Sequence, residues 1–181
     1  IASDFFCGNM QKGIPALIVS ALFQRNPVMI YAGQEFGERG MDGEGFSGVD
    51  GRSTIFDYWS VDAIRKGFFE RSELSAEQLQ LEKDYRTILT LCNSEKAVRE
   101  GKTFDLTYAN EANEDFDSSR LFAFLRSSGN TTLLIVANFG GTEAHVRVNI
   151  PAHAFDYMEL KEGKKDMVDL LSGNHQTATL Q

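Results

Sequence analysis

The sequence predicts an α/β segment followed by an all-β one, on three observations. Residues 13–25 carry apolar side chains at helical spacing and pass through Asn26-Pro27 into an unbroken apolar run, Val28 to Ala32. Residues 75–93 carry a second helical stripe behind a capping signature. From about residue 97 the apolar period changes from about 3.6 to 2, and short runs alternate with glycine turns. The composition shifts between Asn93 and Gly101, which divides the chain into residues 1–96 and 97–181.

The first helix begins with Pro15 near its first turn, where a missing N–H does little harm. Ile14, Leu17, Ile18, Ala21 and Leu22 form its stripe, widened by Val19 and Phe23. Asn26-Pro27 stops it, because a residue before proline is pushed out of the helical region. The run Val28 to Ala32 is too short for a helix and does not alternate, which is how a strand covered on both faces reads. Gly33, Gln34 and Glu35 then fall at the strand's carboxyl end, where α/β folds gather ligands. The second helix opens with Ser75 and Gln78 as a capping box and presents Leu81, Tyr85, Ile88 and Cys92 on one face.

Downstream, "RLFAFLRSS" and "TTLLIVANF" read as two strands joined by a Gly129-Asn130 hairpin turn. "AHVRVNIP" alternates up to Pro151, and the residues from Tyr157 onward read as further short strands, with a charged turn over Lys161–Lys165. Several short strands at close spacing predict an antiparallel sandwich.

Eighteen basic against 26 acidic residues give a net charge of −8. That argues against nucleic acid and anionic membrane, both of which need a basic face, and leaves an uncharged ligand open. No stretch approaches the ~20 apolar residues of a membrane span. Nothing in the sequence assigns a compartment. Cys7 and Cys92 lack metal spacing and are expected as buried thiols. His145, His153 and His175 also lack it and are expected to be solvated or locally bonded.

The stretch "GMDGEGFSGVDG" holds five glycines in twelve residues. Asp42 and Glu44 hint at a calcium loop, but Phe46, Ser47 and Ser53 occupy positions that need a ligand, a glycine and a glutamate. It reads as a surface loop or as a lid over a site.

Several of these segments carry a resemblance to one family. "NPVMIYAGQEFGE" resembles the G-x-P-x-x-Y-x-G-Q-E pattern of the eighth barrel strand in the α-amylase family of glycoside hydrolases, with Asn26 in place of the first glycine. "GRSTIFDYW" is similar to the R-x-x-M-x-W segment that follows, with a longer spacing and Phe56 near the methionine position. "LEKDYRTILTLCNSEKAVREG" resembles the last barrel helix and its exit, with Cys92 in place of an arginine. "RLFAFLRSSGNTTLLIVANFGG" resembles the first hairpin of the C-terminal β-domain.

The resemblance implies that residues 1–96 are the final helix–strand–helix part of a TIM barrel, and residues 97–181 an antiparallel β-sandwich domain, the chain being incomplete at both ends. It implies an enzyme that hydrolyses or transfers α-glucosidic bonds with retention, using two carboxyls about 5–5.5 Å apart. The family's aspartate nucleophile, glutamate acid/base and N-H-D aspartate match nothing here, so no catalytic residue is expected within the chain. Asp4 lies beyond the N-H-D position and reads as a helix cap. The expected partner is an α-glucan or oligosaccharide, with Glu35, Arg52 and Trp59 as substrate-binding candidates. Glu35 could equally bond backbone at the barrel mouth, Arg52 could anchor the loop, and Tyr58 and Trp59 could be core aromatics. No cofactor is expected in the chain, and any calcium would belong to the missing part. A non-catalytic carbohydrate-binding or interaction module is the alternative function.

Overall fold

The computed structural model describes residues 8–38 and 61–181. These divide into two compact units, one of residues 8–21, 26–38 and 61–90, the other of Leu22–Arg25 and Leu91–Gln181.

In the first unit a 3₁₀ turn, Met10–Gly13, is capped by the Asn9 side chain, which accepts from the Gln11 amide at 3.1 Å. It leads into helix α1, Ile14–Leu22. Leu17, Ile18, Ala21 and Leu22 of the predicted stripe are buried, and Ile14 is partly so. The helix stops four residues before Asn26, so Pro27 is not its immediate terminator.

The strand predicted over Val28 to Ala32 does not form. Residues 27–31 are irregular, and Met29 is 88% exposed. A strand exists through its pairing, and no strand among the described residues pairs with this run. All strand pairs among the described residues are antiparallel and lie in the second unit, so these elements alone do not make a barrel segment.

Helix α2, Asp62–Phe68, went unpredicted. Its Asp62 pairs with Arg65 at 2.7 Å and Lys66 at 2.8 Å, one helical turn on. Helix α3, Ala76–Ser94, opens with the predicted capping box: the Gln78 amide donates to Ser75 Oγ at 3.2 Å, and the Ser75 amide donates to Gln78 Oε1 at 3.0 Å. Leu81, Tyr85 and Ile88 are buried as the stripe requires. Cys92 is only half-buried, because the stripe drifts outward near the helix end; burial still pushes its thiol pKa up. Cys7 lies outside the described residues, as do Asp4, the glycine-rich loop and residues 51–60.

The second unit begins with a single helical turn, α4, Lys96–Arg99, followed by strand β1, Lys102–Asp105. β2, Leu121–Ser128, and β3, Thr131–Asn138, form the predicted hairpin, with Ser128 opposite Thr131 across Gly129-Asn130. Gly129 has φ of 61°, which its missing Cβ permits. β1 joins the other edge of β2 to give the order β1-β2-β3. β4, Gly163–Val168, and β5, His175–Leu180, make a separate antiparallel pair. A three-stranded and a two-stranded sheet fall short of a sandwich's usual seven or so strands.

Three predicted features differ. "AHVRVNIP" is not a strand: Asn110 and Asn113 side chains take its backbone groups, with Asn110 Nδ2 donating to Asn149 O at 3.0 Å and Asn110 Oδ1 accepting from the Asn149 amide at 2.7 Å. Ala144, Val148 and Ile150 still turn inward, as the alternation requires. Helix α5, Ala152–Met158, fills residues 152–156, for which the sequence predicts no element, and takes Tyr157 and Met158 from the run expected as strands. Its Ala154 and Met158 are buried one turn apart, a helical spacing that a period of 2 cannot supply. Gly163 to Lys165 belong to β4 rather than to a turn.

The core of this unit gathers Leu106, Phe116, Leu121, Ala123, Leu125 and Met158. Arg126 is fully buried, and all its hydrogen-bond acceptors are neutral. Its guanidinium donates to the carbonyls of Ala97 (3.1 Å), Phe23 (2.7 Å), Gly101 (3.3 Å) and Val98, and to Thr103 Oγ1 (2.6 Å). Most of the acceptors cluster at the end of α4 and the start of β1. The charge is thereby solvated by carbonyl dipoles in place of water.

Candidate functional site

Gly33 makes the site's geometry. Its φ of 84° lets the chain reverse after Ala32, and a Cβ there would meet Ile64 Cγ1 at 2.9 Å and Glu38 Cβ at 3.0 Å. A 3₁₀ turn, Gln34–Phe36, follows and is closed by Gly37 at φ 78°. The Phe36 and Glu38 amides both donate to Gly33 O, at 2.9 and 3.0 Å. Gln34 closes the turn on itself, its Oε1 accepting from the Tyr31 amide at 3.3 Å and its own amide donating to Tyr31 O at 2.9 Å.

Helix α3 holds the turn in place. Gln34 Nε2 donates to Tyr85 Oη at 2.8 Å, and Gln78 Nε2 donates to Phe36 O at 3.0 Å. Gln78 therefore caps its own helix with one amide atom and fastens the turn with the other. Phe36 is buried with Ala63 and Leu74, which anchors the far end.

Glu35 is fixed by this frame and is half-buried. Its Oε2 is shielded from water and makes no hydrogen bond among the described residues. Burial pushes its pKa above the ordinary carboxylate value, against the backbone amides of Glu35 and Gly33, and the charge of Glu82 adds to the rise. Glu82 goes the other way, held below the ordinary value chiefly by Arg71 at 2.6 Å, with Arg86 at 3.2 Å. The Tyr85 hydroxyl is raised by burial, opposed by its bond from Gln34, with a smaller upward push from Glu35. Two interacting carboxylates thus have unlike environments: Glu82 is paired with arginines, and Glu35 is desolvated with a free acceptor oxygen.

Such an oxygen can accept a hydroxyl from a neutral ligand and, when protonated, donate to one. Gln34 has both amide ends engaged and serves to orient the turn. Tyr85 appears in the sequence only as part of the apolar stripe. The signal for its second role was that a buried tyrosine hydroxyl must find a partner. The other two predicted substrate-binding residues, Arg52 and Trp59, lie outside the described residues. Of the predicted set, the structure accordingly places Glu35 alone.

His153 Nε2 lies 2.7 Å from Tyr108 Oη, 45 residues away in the sequence. No group of three or more metal-ligating side chains occurs among the described residues. No helix among them is long and apolar enough to cross a membrane. A scan against protein-family models finds no match, and no curated protein or solved structure matches the chain.

Proposed function

We propose that this chain works within an α-amylase-type glycoside hydrolase, contributing the substrate-facing end of the barrel and the β-domain that follows. In this reading Val28 to Ala32 becomes the eighth strand once it has neighbours to pair with. The retaining chemistry belongs to carboxylates on a segment that precedes these residues, since a glycosyl-enzyme needs two carboxyls flanking the bond. The substrate is an α-glucan or oligosaccharide. Glu35 accepts a sugar hydroxyl, Trp59 stacks on a ring, and Arg52 bonds hydroxyls or orients a carboxylate of the site.

The observation that carries the reading is the Gly33-Gln34-Glu35 turn. The three residues of the family-like motif have distinct physical jobs: a left-handed glycine, an amide that locks the turn to α3, and a carboxylate left with an unbonded, dehydrated oxygen. The carboxylate takes the backbone amides of Glu35 and Gly33, yet Oε2, unbonded among the described residues, is left free for a further donor.

Titration of the 181-residue chain with maltoheptaose tests it. The sugar is expected to perturb the amide signals of Gly33, Gln34 and Glu35 and the fluorescence of Trp59, the sole tryptophan. Glu35→Ala and Arg52→Ala are each expected to weaken binding about tenfold, about 1.4 kcal/mol. No reducing sugar is expected to be released. Release that survives Glu35→Ala, or a turn the sugar leaves untouched, would overturn the assignment.

A further inference from the structure

We propose that the free edge of β3 is an interaction surface for a second copy of this chain, the two β3 strands pairing antiparallel about a twofold axis at Ile135. β3 closes one side of the β1-β2-β3 sheet, and no strand among the described residues pairs with its outer edge. The two-residue loop Gly129-Asn130 sets which backbone groups lie there. Such a loop closes on a pair that exchanges hydrogen bonds, here Ser128 and Thr131, and the pattern then alternates along the ladder. Leu133, Ile135 and Ala137 therefore turn their N–H and C=O groups to β2, as does Phe139, whose amide donates to Arg120 O at 2.8 Å. Thr132, Leu134, Val136 and Asn138 point theirs to the open edge.

This edge lacks the usual guards. β1, on the other side of the sheet, is 4 residues long and carries Lys102 and Asp105. β3 is 8 residues long, TTLLIVAN, with neither charge nor proline. Its pairing with β2 runs residue for residue from Leu121 with Asn138 to Ser128 with Thr131, so no bulge turns the edge away. Leu134 is 44% exposed, and Phe139 just beyond the strand is 46% exposed. A long, uncharged edge of this kind is a template for another strand.

The strand's own sequence selects the occupant. Residues directly opposed in an antiparallel pair either both face the ladder or both face away, so open-edge residues of one copy must oppose open-edge residues of the other. With Ile135 opposite its own counterpart, Leu134 meets Val136, Leu133 meets Ala137 and Thr132 meets Asn138. Polar ends thus meet polar ends, the aliphatic centre meets itself, and about eight backbone hydrogen bonds form. An axis at Leu134 would instead set Thr132 against Val136 and Thr131 against Ala137. One surface serves both copies, as a twofold contact requires. The chain's net charge of −8 makes two copies repel at a distance, but the paired strands bring no charge to the contact.

The test is sedimentation velocity of the 181-residue chain at increasing concentration, with and without added salt. A monomer–dimer equilibrium is expected, and salt should strengthen it by screening the repulsion between the acidic copies. In a mixture of isotope-labelled and unlabelled chain, filtered NOEs are expected between Leu133 Hα and Ala137 Hα and between the two Ile135 Hα atoms. Leu134→Lys would set two ammonium-bearing side chains diagonally across the axis, on backbone positions about 7–8 Å apart. It is expected to weaken dimerisation about tenfold or more at an unchanged melting temperature, because its stem can lie where the exposed leucine did. Met29→Lys, at an 88% exposed position of the first unit, is expected to leave the dimer as it is. A chain that stays monomeric would overturn the proposal, above all one whose Leu134 and Val136 amides are protected from exchange, since its own chain would then cover the edge. So would open-ended oligomers, a dimer without the filtered NOEs, or one that Met29→Lys dissolves and Leu134→Lys does not.

Discussion

At the scale of single residues, the two most informative side chains are charged groups kept away from water by opposite means. Arg126 is fully buried yet has a neutral acceptor for each guanidinium nitrogen, so its charge is dispersed over carbonyl dipoles. Arg126→Met would fill similar space but leave the carbonyls of Phe23, Ala97 and Val98 without their donors, at about 1–3 kcal/mol for each group that water cannot reach. Because the acceptors are neutral, no buried charge is left behind, and the total loss expected by chemical denaturation is about 3 kcal/mol, the lower end of that range summed over the three carbonyls. Arg126→Lys should fall between, since an ammonium cannot reproduce the planar fork. A loss under about 1 kcal/mol would show that Arg126 is not what holds α4 to β1 and β2. Glu35 is the converse case. Its raised pKa means that the folded state binds its proton more tightly than the unfolded chain does. Its contribution to stability is therefore complete below the unfolded value and falls as pH rises through the folded one.

At the scale of elements, the structure shows how few residues decide a local fold. One amide side chain, Gln78, both caps α3 and secures the turn 42 residues earlier. Two asparagines replace a strand partner along residues 147–149. Gly33 is the least replaceable of these positions, because its φ is positive and a Cβ would run into Ile64 and Glu38. Gly33→Ala should cost more than about 1 kcal/mol. Its more specific mark is loss of the Gln34–Tyr85 bond, which holds the Tyr85 pKa down against burial, so the hydroxyl is expected to titrate higher in the variant. An alanine variant that kept both stability and the Tyr85 signal would mean the turn tolerates another conformation.

At the scale of the whole molecule, what the sequence made legible was what depends on neighbours in the chain. The α3 capping box, its buried face of Leu81, Tyr85 and Ile88, and the hairpin across Gly129-Asn130 are all local patterns, and all are present. The misreadings concern partners at a distance. Val28 to Ala32 has a strand's composition, but composition cannot supply a strand to pair with. Residues 144–150 alternate, yet Arg147 O and both backbone groups of Asn149 bond asparagine side chains 34 and 39 residues away. α5 is seven residues long, too short for its periodicity to stand out from that of a strand. Glu35 was legible as a candidate from its motif, whereas its desolvation and the Tyr85 hydroxyl that helps frame it were not. If residues 28–32 need barrel neighbours, the first unit should open more readily than the second in the isolated chain. Hydrogen exchange is expected to be markedly faster at residues 14–38 than at residues 121–138. Equal protection of the two segments in a monomer would argue that the first unit is complete as it stands.

We propose that the Gly33-Gln34-Glu35 turn holds a carboxylate for a sugar. It is tested most directly by following the carboxyl carbon of Glu35 by NMR across pH, with and without maltoheptaose. In the free chain Glu35 is expected to titrate above the ordinary carboxylate range, because burial and the charge of Glu82 disfavour ionisation. Bound sugar is expected to lower that value, since hydroxyls donated to the unbonded oxygen favour the charged form. A titration in the ordinary range, or a raised one that the sugar leaves in place, would contradict the claim.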